Sequence, residues 1–267
     1  MKRVAIIGCG ALGTTLMRIV QERLTGRYAL SGVMAAHFER AQESAARFGC
    51  RAYDGVQTLI GDRPDVVIEL AGGEAVRMHA ESILRAGIPL AIASIGALAD
   101  DALRERLAAA ARAGNTALYV LSGAVGGFDV LRTMAMQGRV EITIDNAKAP
   151  RSLNGAPYLG GRALPEDAGQ TVFDGTAREA IAGFPKNVNV AVASALAAGE
   201  MDGARVVINS RPGMTDNLHR VLAHSALADV EMTFRSRPDS ENPRSSVITA
   251  YSAAAFLEQL DSPIRFF

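Results

Sequence analysis

Val4-Ala5-Ile6-Ile7-Gly8-Cys9-Gly10-Ala11-Leu12-Gly13-Thr14-Thr15-Leu16-Met17-Arg18-Ile19-Val20 decides how this chain folds. The first four residues are apolar and mostly β-branched, which suits a strand buried on both faces. Glycines at 8, 10 and 13 then break the strand, and Thr14–Val20 reads as part of an amphipathic helix. A helix N-terminus carries partial positive charge and unpaired N–H groups, and glycines let that backbone approach a pyrophosphate closely. A bare G-x-G-x-x-G is a weak signal. Placed after a strand and at the start of a helix, it reads as a dinucleotide turn, with Gly8, Gly10, Ala11, Leu12 and Gly13 as cofactor-binding residues. The competing reading is a glycine-rich structural turn.

The pattern continues outward from that turn. A short apolar strand over Ala29–Ala35 leads to a helix over Glu39–Phe48 that stops at Gly49. Asp65–Leu70 reads as a strand, Glu74–Ala86 as a helix ended by Gly87, and Pro89–Ala93 as a strand. A helix over Asp100–Ala113 and a strand over Ala117–Leu121 come next. Such alternation predicts an α/β fold whose N-terminal part is a Rossmann-type, doubly wound parallel sheet spanning residues 1–124. Beyond it the texture changes. Val140, Ile142 and Ile144 alternate with polar residues, and Pro150–Gly169 is a polar stretch bearing Gly and Pro. A helix over Asn189–Ala198 and strands near Arg205–Asn209, Leu218–Ala223 and Asp229–Phe234 complete a second, α+β domain over 125–240, the expected place for catalysis and for dimerisation. Its sheet is expected to be antiparallel, with helices on one side. A last helix, Ser245–Leu260 within the return segment 241–267, is expected to pack back onto the first domain.

Composition narrows the function classes. Lysine plus arginine and aspartate plus glutamate each number 28 in 267 residues, so no net field recruits nucleic acid or an anionic membrane. The two cysteines, Cys9 and Cys50, have no metal-ligand spacing, and the expectation is a reduced, cytoplasmic protein. Lys2-Arg3 and the apolar residues after them are not expected to act as a signal peptide, because three glycines and Arg18 interrupt the run and no small-residue cleavage site comes after it. No apolar run approaches the roughly 20 residues of a membrane span, and no H-E-x-x-H, paired C-x-x-C or carboxylate cluster points to a metal.

At the tip of the second strand, where an acidic residue ordinarily holds the adenosine ribose, the chain reads Ala35-Ala36-His37-Phe38-Glu39-Arg40. Arg40 can pair with a 2′-phosphate, which favours NADP. It can equally be an exposed helix residue, with Glu39 reaching the ribose of NAD. Of His37, His79, His219 and His224, the first lies beside the adenosine end and the second on a helix, whereas strand alternation puts His219 on one face with Asn217, where an amide and an imidazole can converge on a substrate; a satisfied or exposed histidine is the competing reading. His224 is its nearby competitor. A thiol nucleophile at the domain junction is excluded by the positions of both cysteines.

Three further stretches are specific: Ala93-Ser94-Ile95-Gly96-Ala97-Leu98-Ala99-Asp100, Leu121-Ser122-Gly123-Ala124-Val125-Gly126-Gly127-Phe128-Asp129 and Phe184-Pro185-Lys186-Asn187-Val188-Asn189-Val190-Ala191. With Asn217-Leu218-His219 and Asn242-Pro243-Arg244-Ser245-Ser246, they make the chain resemble the L-aspartate dehydrogenase family over almost its whole length. The resemblance implies oxidative deamination of L-aspartate with NAD or NADP to iminoaspartate, hydrolysed to oxaloacetate and ammonia, or the reverse. It also implies a supply of imine for quinolinate and NAD synthesis, and a homodimer. The family's catalytic histidine falls on His219, and its nicotinamide-side contacts on Ala124 and Asn189. The low bulk of Ser122-Gly123-Ala124 and the amide of Asn189 at a helix start suit those roles. A domain hinge and a helix cap are the local alternatives. Lys148, Lys186, Arg211 and Arg244 are candidate partners for the two substrate carboxylates. A reductase of a related imine or carbonyl, and a dinucleotide sensor without turnover, are the competing functions.

Overall fold

A computed structural model gives the protein's structure and describes residues 1–185, 188–237 and 247–266. The chain divides into two compact units, Met1–Gly123 with Val247–Phe267, and Ala124–Ser246. In the first, strands β1 (Lys2–Ile7), β2 (Tyr28–Met34), β3 (Arg51–Tyr53), β4 (Val66–Glu69), β5 (Leu90–Ile92) and β6 (Leu118–Val120) alternate with helices α1 (Ala11–Arg23), α2 (Phe38–Phe48), α3 (Val56–Asp62), α4 (Gly73–Arg85) and α5 (Asp101–Ala113). The sheet order is β3-β2-β1-β4-β5-β6 and every pairing is parallel. The order turns back between β1 and β4, so a crevice opens beyond their carboxyl ends, where the glycine turn lies. β3 and α3 escape the sequence pattern because each is only one short run, of three and seven residues.

The second unit holds α6 (Phe128–Gln137), β7 (Glu141–Lys148), α7 (Pro150–Leu153), β8 (Gln170–Thr176), α8 (Ala177–Gly183), α9 (Asn189–Ala197), β9 (Arg205–Ser210), β10 (Asn217–His224) and β11 (Asp229–Ser236). Its sheet runs β11-β10-β7-β9-β8. The expected antiparallel sheet is in fact mixed, because β7 and β9 pair in parallel. A parallel pair needs a long crossover, and the segment carrying α7, β8, α8 and α9 supplies it. The sequence reading passed over β8 and α8, although Thr176 and Glu179 form a reciprocal capping box at the start of α8.

The last helix, α10 (Ile248–Asp261), belongs to the first unit. Ala253, Ala254 and Leu257 join Leu16, Met17 and Val20 of α1 and Ile6 of β1 in one buried cluster. The Tyr28 hydroxyl donates to the Leu257 carbonyl at 2.8 Å, tying β2 to that helix. The first two residues of the helix expected from Ser245 lie outside the described residues.

A second anchor joins β1, β2, β3 and α3. The Asp62 carboxylate accepts hydrogen bonds from Arg3, Ser31, Arg51 and, at 2.7 Å, the Tyr53 hydroxyl. Desolvation alone would raise its pKa, but the hydrogen bonds from Ser31, Tyr53, Arg3 and Arg51 outweigh that and hold it well below the usual carboxylate range. A folded-state pKa below the unfolded one contributes stability above the unfolded pKa, and this is lost as pH falls toward the folded value. Asp62→Asn is therefore expected to cost on the order of 2 kcal/mol at pH 7, because donors are left facing an amide N–H₂. Denaturant melts from pH 7 to 3 check this: the wild-type margin shrinks below about pH 4, whereas a constant margin would contradict the assignment.

Candidate active site

The glycine turn is shaped by what it cannot accommodate. Gly8 has φ +111°, and a Cβ there would lie 2.8 Å from the Leu70 carbonyl carbon. A Cβ on Gly13 would lie 1.8 Å from the Gly8 carbonyl oxygen. Gly10 is different, for its Cβ would meet nothing within 4 Å. It precedes α1, whose N-terminus has no side-chain cap and no acidic residue in its first turn. The N–H groups of Ala11, Leu12 and Gly13 are thus presented beside open space with no carboxylate competing for them. This donor set fits an anion such as a pyrophosphate, with the helix dipole adding to the attraction.

Behind the turn lies a carboxylate that the sequence reading left unremarked inside a strand. Glu69 ends β4 and is 1 % exposed. Its Oε1 accepts from the backbone N–H of Ala71 and of Gly72, each at 2.7 Å, and from the Ser94 hydroxyl at 2.8 Å. Its Oε2 accepts from the Ser94 backbone N–H at 3.1 Å. Burial pushes the carboxyl pKa up, and the hydrogen bonds from Gly72, Ser94 and Ala71 work against that push. Glu69 thereby fastens the loops after β4 and β5, and the first of these is the backbone that crowds Gly8. The signal available in the sequence was a charge closing an otherwise apolar strand, Val66-Val67-Ile68-Glu69.

At the far end of the crevice, His37 precedes α2 and lies exposed beside Glu39 and Arg40. Both candidate readers of the adenosine end are therefore on the surface just beyond the tip of β2. His79 sits part-buried on α4, and burial lowers its pKa.

In the second unit His219 is 3 % exposed on β10, between β7 and β11. Its register partners are Asn146 on β7 and Phe234 on β11, and its Nδ1 is 2.5 Å from the Asn146 Oδ1. Burial first, and the positive charge of Lys148 second, push the His219 imidazole down to about 3. Burial likewise pulls the Lys148 ammonium down to about 8. At neutral pH the pair is thus a neutral imidazole beside a mostly protonated amine. Alternation along β7 puts Lys148 on the same face as Asn146. The Arg211 backbone N–H donates to the Lys148 carbonyl at 2.9 Å, so these two candidate carboxylate partners share one end of the sheet. Lys186 and Arg244 lie outside the described residues.

Ala124 opens the second unit. The glycines after it run along β11, where a Cβ on Gly126 would lie 3.9 Å from the ring of Phe234, the register partner of His219. Asn189 is the first residue of α9, one beyond the capping position held by Val188, and α9 packs on β7. His224, the competitor, is exposed at the opposite end of β10 and paired with Asp229.

Residues 129–260 match the family model described as the C-terminal part of aspartate dehydrogenase, and residues 8–121 match the NAD-binding domain of homoserine dehydrogenase. The L-aspartate dehydrogenase of Polaromonas sp. is 33% identical over 96% of this chain and 97% of its own. L-aspartate dehydrogenase 2 of Bordetella bronchiseptica is 36% identical over 96% of each chain. The chain belongs to the L-aspartate dehydrogenase family. The crystal structure of aspartate dehydrogenase from Thermotoga maritima superposes with a TM-score of 0.76 at 28% identity, covering all of both chains. GenD2 from gentamicin A biosynthesis, solved with NAD, shares the fold at 14% identity and a TM-score of 0.60. In this L-aspartate dehydrogenase family member, His219 lies on the β10–β7 pair of the second sheet and the glycine turn at the switch point of the first.

The three glycines predict different fates for alanine. Gly13→Ala forces the helix off the turn and should yield protein that melts several degrees lower or does not fold. Gly10→Ala should fold normally yet weaken reduced-dinucleotide binding by about tenfold or more, by filling the approach that the second glycine leaves open. Thermal melts and fluorescence titration with NADH and NADPH measure both, and unaltered affinity in Gly10→Ala would place the pyrophosphate elsewhere.

Proposed function

We propose that this protein catalyses the NAD- or NADP-dependent oxidative deamination of L-aspartate to iminoaspartate, which water converts to oxaloacetate and ammonia, and the reverse amination. The observation that carries the reading is a buried, neutral histidine hydrogen-bonded across two strands, in a chain more than 30% identical to L-aspartate dehydrogenases over nearly its whole length.

The residues divide the work. Gly8, Gly10, Ala11, Leu12 and Gly13 would hold the cofactor pyrophosphate, Arg40 or Glu39 the adenosine end, and Ala124 and Asn189 the nicotinamide side. When bound, the dinucleotide supplies the hydride acceptor for the substrate α-carbon. His219 supplies the proton transfers. Because its imidazole is neutral at working pH, it acts first as a base, taking a proton from the water that attacks the imine carbon. It returns that proton to the carbinolamine nitrogen and takes the remaining hydroxyl proton as the C–N bond breaks, so that the carbonyl forms and ammonia leaves. Lys148, mostly cationic at neutral pH, is the described residue best placed to hold a substrate carboxylate near His219. A cytoplasmic setting is supported by two cysteines that remain unpaired. Assembly as a homodimer is supported by the edge strand β11, which among the described residues pairs on one side only. The imine product is also chemically suited to feed quinolinate formation and so NAD synthesis.

Absorbance at 340 nm tests the reading, with L-aspartate, D-aspartate and other amino acids each offered with NAD and with NADP. Reduction confined to L-aspartate is expected, and silence in both directions, with oxaloacetate, ammonia and reduced cofactor included, would refute it. His219→Ala should lower kcat by about 100-fold or more, the usual scale of acid–base catalysis, while dinucleotide affinity stays near wild type. A fully active variant would remove His219 from the mechanism.

A further inference from the structure

We propose that Asn146 is a positioning residue that fixes the tautomer of His219, so that Nδ1 carries the proton and Nε2 is left as the base. The inference rests on the role proposed for His219 and adds the residue that makes the role directional.

A neutral imidazole has one N–H and one bare nitrogen, and the neighbour of one nitrogen decides what the other can do. Here the neighbour is Asn146, paired in register with His219 and 1 % exposed. With Oδ1 toward the ring at 2.5 Å, the amide can only accept, so Nδ1 donates. The opposite amide orientation would put an N–H₂ against Nδ1, move the ring proton to Nε2 and turn His219 into a donor. So close an approach suits an oxygen acceptor better than two nitrogens, whose hydrogen bonds are longer. The orientation has a cost. Asn146 Nδ2 is buried and finds no partner among the described residues, a penalty of about 1–3 kcal/mol for such a group.

Among the described residues, this contact is the hydrogen bond made by the His219 ring. On its own strand His219 shares its face with Asn217 and Val221, and β11 presents Met232, Phe234 and Ser236. Beyond Asn146, β9 presents Val206, Ile208 and Ser210. α9, which packs on β7, contains no titratable side chain in Asn189–Ala197. Lys148 is the charged group that acts on the ring, and it bears on the ease of protonation rather than on which nitrogen holds the proton.

Two measurements test the inference. In the ¹⁵N-histidine-labelled wild-type protein, with the His219 signals assigned by their loss in His219→Gln, Nδ1 should be the protonated nitrogen and Nε2 the bare one at pH 7.5. The reverse pattern overturns the proposal, and this readout needs no turnover, so it stands apart from the identity of the substrate. In Asn146→Asp, a carboxylate that can only accept keeps the same tautomer and favours the imidazolium. The acidic limb of kcat/KM should then move up by about one to three pH units, the effect of an adjacent opposite charge, with the plateau within about tenfold of wild type. A profile that superimposes on wild type, or a plateau lost together with a reversed tautomer, overturns it. Should Asn146→Asp fail to fold, the wild-type spectrum alone decides.

Discussion

Three backbone segments meet at Gly8 with no space for a side chain, and the nucleotide half of the molecule depends on that contact. The first turn of α1 presses on the Gly8 carbonyl through Gly13, and the Leu70–Ala71 peptide presses on Gly8 from the neighbouring strand. What keeps the second segment in place is a buried carboxylate. Glu69 gathers the N–H groups of Ala71 and Gly72 and both donors of Ser94, so the loops after β4 and β5 are set by one ionisable group. Four donors converging on the two carboxyl oxygens offset the cost of burying a polar group. The result is a rigid rim around an open patch at Gly10, the arrangement an anion-binding helix terminus needs.

The second unit buries a histidine inside a sheet. Burial makes the imidazolium costly and the nearby Lys148 adds to the cost, so His219 stays neutral. Lys148 is itself softened by burial. Neither shift alone makes a catalyst. Together they leave a neutral imidazole and a mostly protonated amine on one sheet face, the combination that the role proposed for His219 calls for.

The glycine turn was legible in the sequence because Gly8, Gly10 and Gly13 act locally, through the conformation and crowding of one short loop. The alternation of strands and helices to residue 121 was legible for the same reason. Strand direction in the second sheet was not. Whether β9 runs with or against β7 depends on the path of the intervening 56 residues, 149–204, and hydrophobic alternation carries no sign for that. Asn146 was overlooked because in Ile142-Thr143-Ile144-Asp145-Asn146 it reads as one more polar residue near a strand end. Only the alternation placed it on the core face, and only the cross-strand register, 73 residues away, gave it His219 as partner. Arg40 and Glu39 both remain on the surface, where the fold leaves both available to the adenosine end.

Hydride transfer from the α-carbon of L-aspartate to a nicotinamide ring is the central step of the proposed reaction. Incubating the protein with L-[2-²H]aspartate and oxidised cofactor, then analysing the reduced cofactor by mass spectrometry, tests it most directly. One deuterium is predicted in the reduced nicotinamide. Reduced cofactor formed without the label would contradict it.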